Sequence, residues 1–510
     1  MTGGRCELDA VIIGSGFSGS LLARILCTRG WRVVLVDRGQ HPRFAVGEST
    51  TPIADLLLAE LASTYQLQDV APLACYGKWK QHSPHITCGL KRGFSYYQHE
   101  RGLPFSDDDQ HSRSWLVAAS SEDYWSDTHW LRSSVDQFFV GGAVAAGVSL
   151  RERTQVIAAE FCARRQRWTL QLQSDEEKSG RCEPLQCRWL IDASGGAEVV
   201  SRLVGNPRDD DCMLTRTQAV WGHFEGVSDF RPQAAAGDPF AGDHSAQHHL
   251  TGDGWCWMLR MDNGITSVGL VQPADSAGQH ERRSADNAVS LRQRLADWPE
   301  LSELMRQAVL VAPPGGLQSS SRLSRCRRRA AGAGWILLPQ SCGFVDPLHS
   351  TGIAHSLSGV SRIAAALLTE ETQSCSAMLQ QYASDVPAEI YWIDQLVAAC
   401  YSALPSFSAF QAACALYFLA AIGFEQTLVG HSGGSGWGAG FLQCCDMDLR
   451  EIVQQAGRSL QECSSSADKL EWAGWLRQRI STRDTAGLLD PANRNRVAHT
   501  AAPKHAAFWS

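Results

Sequence analysis

The unit between Asp9 and Asp37 constrains this 510-residue chain more than any other stretch. Asp9-Ala-Val-Ile-Ile runs as a short apolar strand into Gly14-x-Gly16-Phe17-Ser18-Gly19. A helical run covers Ser20 to Arg29, and a second strand, Arg32 to Val36, ends in Asp37. This is a β-α-β unit with a glycine-rich turn between its first strand and its helix. Gly14 allows the tight turn, Gly16 lets backbone approach a pyrophosphate, and Gly19 lets the helix pack on the strand. The helix N-terminus offers N–H groups and a positive dipole end to phosphate, while Asp37 can accept from ribose hydroxyls. A bare glycine triplet would say little. Strand, helix, second strand and terminal acid in order make a dinucleotide site.

The rest of the chain surrounds that unit. Strand-like runs lie at Thr87 to Tyr97, Trp168 to Gln173 and Arg188 to Ile191, the last ending at Asp192-Ala-Ser-Gly195, with a helix expected at Val135 to Gly147. Thr217 to Phe224 and Ile265 to Val271 read as antiparallel strands, Asp286 to Leu310 as helical, and Trp335 to Leu338 as a buried strand before a long helix from Ile353 to Leu368. From there to about 480 the pattern is helical, with a glycine-rich break at Gly430 to Gly440. The expected fold is α/β: a Rossmann-type cofactor domain (1–84, 115–210 and 325–370), an inserted mixed or antiparallel sheet domain for substrate (85–114 and 211–324), a C-terminal helical region (371–480) and a disordered tail (481–510).

Lys plus Arg number 46 against 53 Asp plus Glu, a net charge of −7 without long like-charge blocks, which argues against nucleic acid as a partner. The 17 cysteines are scattered, with no Cys-x-x-Cys pair. They read as reduced, core-filling thiols of a cytoplasmic protein, with no metal site expected. The first apolar run leads into glycines instead of a cleavage site, so it reads as a strand and not a secretory signal. The apolar stretch Phe410 to Phe424 falls short of the roughly 18 residues that span a bilayer, so a buried helix and no transmembrane segment is expected.

Three separated segments, the N-terminal unit, the Asp192 strand end and Asp346-Pro347-Leu348 before the long helix, together resemble the FAD-binding fold of the para-hydroxybenzoate-hydroxylase type. Within that group, Gly47-Glu48-Ser49-Thr50-x-Pro52 and Asp346-Pro347-Leu348-x-Ser350-Thr351-Gly352-Ile353 are similar to segments of the flavin-dependent halogenases, including the tryptophan-halogenase-like branch. The resemblance covers residues 8 to 370. It implies FAD contacts from Gly14, Gly16, Phe17, Ser18, Gly19, Asp37, Arg38, Arg43, Glu48, Ser49, Arg132, Asp192, Gly343, Asp346, Gly352 and Ile353. It also implies that the N–H groups of Thr351 and Gly352 hold a halide ion. Consecutive N–H groups at a helix start do form an anion nest, though Ser350 as a simple helix cap is an alternative. Arg132 with Asp136 at i, i+4 equally fits a surface ion pair.

Leu90-Lys91-x-x-Phe94-x-Tyr96 resembles the strand that carries the family's catalytic lysine, so Lys91 is the candidate for directing hypohalous acid, with Lys78 as runner-up. Gly254-Trp255-Cys-Trp257-Met-Leu259 keeps both tryptophans that in the family are proposed to shield the flavin from substrate, but lacks the following Ile-Pro. His349 stands where tryptophan halogenases have a glutamate; it is a candidate proton carrier near neutral pH or a packing histidine. Phenol- and pyrrole-type relatives lack that glutamate too.

The resemblance implies an enzyme in which reduced FAD, oxygen and halide yield hypohalous acid, which Lys91 directs to an electron-rich aromatic substrate, free or tethered to a carrier protein. No second glycine-turn unit for a nicotinamide is found, which suits reduced flavin arriving from a separate flavin reductase. Two other readings stay open: a monooxygenase or flavin-dependent reductase acting directly on substrate, and a non-catalytic flavin- or lipid-binding protein.

Overall fold

The computed structural model describes residues 7–175, 184–274, 287–430 and 440–501; Asp286, the segment 431–439 of the expected glycine-rich break and the tail beyond 501 lie outside them. The β-α-β unit forms as Leu8–Ile13, Phe17–Thr28 and Val33–Val36. Leu8–Ile13 is central in an eight-stranded sheet, parallel to Val33–Val36 on one side and to Leu185–Asp192 on the other. The four strand residues Ala10 to Ile13 are buried on both faces, as the continuous apolar run demands. Trp335–Leu337 extends the parallel set beyond Leu185–Asp192, and Thr154–Cys162 with Arg167–Ser174 adds an antiparallel flap.

A second, nine-stranded sheet runs Val309–Ala312, Thr217–Glu225, Thr266–Pro273, Trp255–Arg260, Ala246–Leu250, Gly93–Gln98, Ser114–Ala118, Arg496–Val497, with Gln318–Ser320 paired beside Thr217–Glu225. Helices Thr351–Leu368, Thr372–Ala403, Phe407–Gly430, Met447–Glu462 and Ser466–Ile480 complete the chain, so the expected combination of Rossmann-type sheet, second sheet and C-terminal helices is what forms.

Several expectations need correction. The run Thr87 to Tyr97 is two strands, Cys88–Lys91 and Gly93–Gln98, broken at Arg92. The Arg92 guanidinium binds Asp123 and the carbonyls of Ser120, Ser121 and Pro239, and its N–H donates to His244, so the chain turns there. Cys88–Lys91 pairs instead with Asp127–Trp130. The boundary drawn at 114/115 cuts through Ser114–Ala118, a strand of the second sheet. The stretch ending at Leu310 is two short helices, Asn287–Leu295 and Pro299–Leu304, followed by a strand, Val309–Ala312. Residues 481–501 are ordered, and Arg496–Val497 adds a parallel strand to Ser114–Ala118, contrary to the expected disordered tail. Phe407–Gly430 has 24 residues, long and apolar enough to cross a membrane, but 89 % of its most apolar window is buried against the rest of the protein. It is a core helix packed on Thr372–Ala403 and Ser466–Ile480.

Candidate active site

The glycine turn is a close-packed cradle. Gly14 has φ +105°, and a Cβ there would lie 2.4 Å from the Ala193 carbonyl oxygen, so only glycine lets the turn press against the Asp192 strand end. Asp37 is buried. Its Oδ2 accepts from the Ser15 N–H and hydroxyl, both at 2.8 Å, and from Arg43 at 3.3 Å; its Oδ1 accepts from the Gly39 N–H. Burial pushes this carboxyl up, but Arg43 and these hydrogen bonds outweigh it and hold it below its ordinary value.

Arg132 is not on a surface. Its guanidinium grips Asp136 with two bonds of 2.9 Å, donates to the carbonyls of Val46 and Gly47, and covers the Phe17 ring. Asp136, fully buried, also accepts from the Phe17 N–H at the helix start. One buried ion pair thus ties three segments around the glycine turn, which corrects the surface-pair alternative. Asp192 spends both oxygens on its own turn, accepting from the Ser194 N–H and hydroxyl and from the Val200 N–H. It shapes the strand end that meets Gly14. Arg38 is exposed, while its neighbour Asp37 is buried.

A cavity of about 140 Å³ brings the two remaining motifs together. It is lined by Gly47-Glu48-Ser49, by Asp346, Ser350, Thr351, Gly352 and Ile353, and by Trp221, Trp255, Trp257 and His248. Glu48 is fixed from below by His223, 2.6 Å away and equally buried. Asp346 accepts from the hydroxyls of Thr217 (2.6 Å) and Tyr401 and from the Leu348 N–H; its burial still pushes the carboxyl up to about 6. Trp255 donates to the Tyr401 hydroxyl at 2.8 Å and Trp257 to Ser267 at 3.1 Å, so both indoles are held in orientation. Gly269 makes room for the Trp257 ring, which would come within 2.2 Å of a Cβ there.

The helix Thr351–Leu368 begins two residues before Ile353, after Ser350 in a left-handed conformation (φ +54°) with no side-chain cap hydrogen bond. The capping alternative is therefore corrected: Ser350 sets the chain direction, and the N-terminal dipole end at Thr351 and Gly352 faces the cavity. A Cβ on Gly352 would touch only the Gln340 side chain, at 3.7 Å or more. Packing within the described chain therefore does not explain this glycine; a group bound in the cavity would.

Lys91 is completely buried. Its ammonium donates to the Thr50 carbonyl, beside the Gly47 loop, and sits 4.0 Å from the centre of the Phe94 ring. Beyond Phe94 lies a block of rings: Tyr96, Trp115, His248, Phe410 and Phe418, with centroids 4.6 to 5.9 Å apart in successive contacts. Lys78 lies instead on the short helix Tyr76–His82, half-buried over Trp125. His349 does not line the cavity. It stacks on Tyr417 at 4.1 Å, its Nε2 is 3.5 Å from the Cys400 sulfur, and burial holds its pKa well below 6.5. Burial therefore keeps the imidazole neutral near neutral pH and away from the cavity, which corrects its reading as a proton carrier there.

The residues suit a flavin dinucleotide on two further observations. Arg43 Nε and Ser49 Oγ are buried without hydrogen-bond partners among the described residues, one at the glycine cradle and one at the cavity. His223, Thr217 and Tyr401 escaped the sequence reading, as did Trp221 in the cavity lining, and Asp136 was read only as the partner of Arg132. His223, Thr217 and Tyr401 each bond a partner 55 to 175 residues away, and no local pattern marks them.

Comparison with known proteins agrees with this construction. The family described as FAD dependent oxidoreductase matches residues 9–298, more than half of the chain. The chain belongs to that family, and FAD is its cofactor. Within it, the similar curated proteins are flavin-dependent halogenases. Monodechloroaminopyrrolnitrin halogenase PrnC of Pseudomonas fluorescens is 25% identical over 377 residues, 71% of this chain and 62% of that protein. Tetracycline 7-halogenase of Kitasatospora aureofaciens is 26% identical over 360 residues, 68% of this chain and 61% of that one. The chain thus spans about three-fifths of the length of these relatives. The structure of halogenase PltM in complex with phloroglucinol and FAD shares the fold at a TM-score of 0.81 and 22% identity, covering 97% of this chain and 100% of that one.

Proposed function

We propose that the chain is a flavin-dependent halogenase that acts on an electron-rich aromatic ring of phenol, pyrrole or indole type, free or carrier-tethered, with reduced FAD delivered by a separate flavin reductase. The observation that carries this reading is Lys91: a fully buried ammonium held between the Thr50 carbonyl and the Phe94 ring, next to the cavity where the Gly47 and Thr351 segments meet. A buried lysine beside a cofactor cavity is a common arrangement for a group with a chemical duty.

Reduced FAD, with oxygen, supplies the oxidising equivalent that turns halide into hypohalous acid. This chain's residues do the rest. The N–H groups of Thr351 and Gly352, at the positive end of an 18-residue helix, hold the halide. Trp221, Trp255 and Trp257 fill the cavity side and keep a substrate ring from it. Lys91 donates a hydrogen bond to hypohalous acid and directs its halogen to the substrate ring. The similarity to relatives named as pyrrolnitrin-type, tetracycline and phloroglucinol-bound halogenases supports an aromatic acceptor. We place the reaction in the cytoplasm, a reducing setting that the free thiols also suit.

The test is mass spectrometry of products from the purified protein with FAD, a generic flavin reductase, NADH and bromide, offering phenols, pyrroles and indoles together in the presence of catalase. A product bearing the paired bromine isotopes, absent without the protein, is expected. A gain of one oxygen or two hydrogens without bromine would overturn the proposal in favour of a flavoenzyme acting directly on substrate.

A further inference from the structure

Outside the cavity, three chemistry-bearing side chains that are far apart in sequence meet in the core. His349 comes from the loop before Thr351–Leu368, Cys400 from the end of Thr372–Ala403, and Cys414 from Phe407–Gly430. All three are buried, and one ligand atom from each lies within 4.8 Å of the others. His349 Nε2 is 3.5 Å from the Cys400 sulfur, and the two sulfurs are 3.7 Å apart.

These separations are those of thiol hydrogen bonds and equally those of ligands around one metal ion. With Zn–S of about 2.3 Å and Zn–N of about 2.0–2.1 Å, tetrahedral geometry sets two sulfurs about 3.8 Å apart and sulfur from nitrogen about 3.6 Å. The cluster already has that spacing on its two measured edges. The Tyr96 hydroxyl, fully buried and without a hydrogen-bond partner among the described residues, stands beside it. Burial, and after it the nearby Cys414 and Cys400 thiols, push that hydroxyl well above its ordinary pKa. A purely hydrophobic filler role leaves this arrangement unexplained. The His349 Nδ1 is buried without a partner, and its Nε2 faces only sulfur, a poor exchange for the water it gave up.

We infer that His349, Cys400 and Cys414 bind one zinc ion, with the Tyr96 side as the fourth position, as a structural staple between the C-terminal helical hairpin and the loop that carries Thr351. Two thiolates and a neutral imidazole balance the ion's two positive charges, so the complex is neutral, as a dry interior requires. Each thiol gives up its proton to solvent as the ion binds, and no electron transfer is involved. The staple bears on the loop directly: the Tyr417 ring stacks on His349, and its hydroxyl donates to the His349 carbonyl while accepting from the Thr351 hydroxyl at 3.1 Å.

The test uses the full chain, expressed with zinc in the medium and purified without chelator. Metal analysis is expected to give one zinc per chain. Cobalt(II) in its place should give the near-ultraviolet charge-transfer absorption of thiolate ligands. Cys400→Ala, Cys414→Ala and His349→Gln should each lower zinc to none, while Cys375→Ala, outside the cluster, should keep one; three independent lesions guard against a variant that fails to fold. Substoichiometric zinc in the unmodified chain, with Cys400 and Cys414 recovered either as free thiols or as a disulfide by peptide mass, would overturn the inference. So would retention of one zinc in all three cluster variants.

Discussion

The glycine cradle and the ring cluster around Lys91 are built in opposite ways. The cradle's turn, helix and acid, Gly14 to Asp37, are close in sequence, and the distant Ala193 and Asp136 only back them, through the close approach at Gly14 and the hydrogen bond from the Phe17 N–H. The ring cluster is assembled from the Cys88–Lys91 strand, the second sheet and the C-terminal helices, with Phe94, Tyr96, Phe410 and Phe418 meeting only in the folded chain. A cofactor shared by a large family can be held by a local motif. A cluster that no backbone requirement fixes leaves its side chains free to vary.

Four experiments would break or sharpen that contrast. Gly14→Val should abolish FAD retention through purification, because the new Cβ would lie 2.4 Å from the Ala193 oxygen at a backbone angle that valine resists. A yellow, flavin-loaded variant would show that the cradle is not backbone-limited. Lys91→Ala should keep the flavin spectrum and lose on the order of 10²-fold or more in halogenation rate, as removal of a single positioned donor commonly does. Unchanged halogenation would remove Lys91 from the reaction.

The third experiment reads pH. The folded pKa of Asp346, about 6, is above the ordinary 3.8, so the folded state binds this proton more tightly than the unfolded chain. That stabilisation is fully present below about pH 4 and is lost as pH rises through 6, by at most about 3 kcal/mol. Asp346→Asn cannot titrate, so urea unfolding of the two proteins from pH 4 to 7.5 should show that slope in the unmodified chain and not in the variant. Parallel slopes would mean that Asp346 is ionised throughout. The smallest effect is expected from Lys78→Ala: half-buried on a helix away from the rings, it should change halogenation by no more than about twofold.

What was legible in the sequence follows the same division. Gly14 to Asp37 could be read outright, since spacing within a β-α-β unit determines who meets whom. Glu48, Asp346 and Thr351 were found by resemblance, and their meeting in one cavity is a fact of tertiary structure. His223 beneath Glu48 could not be found, because a single histidine 175 residues away carries no periodic signal. His349 was misplaced for a related reason. Its position in the motif suggests the cavity, but Ser350 in the left-handed region turns the chain just after it, and its ring lies against Tyr417. The break at Arg92 was hidden because strand-forming residues lie on both sides of it, and its guanidinium finds its acceptors in distant loops.

The strand Arg496–Val497 pairs with Ser114–Ala118, and the Arg496 guanidinium reaches the Ser114 hydroxyl 382 residues earlier in the chain. On the ribosome, the second sheet must therefore wait with one flank open until residue 497 has left the exit tunnel, long after its other strands are available. That exposed flank is where a nascent chain of this kind is vulnerable to pairing with a neighbour, and a reporter fused immediately after Val497 would interfere with the step that closes it.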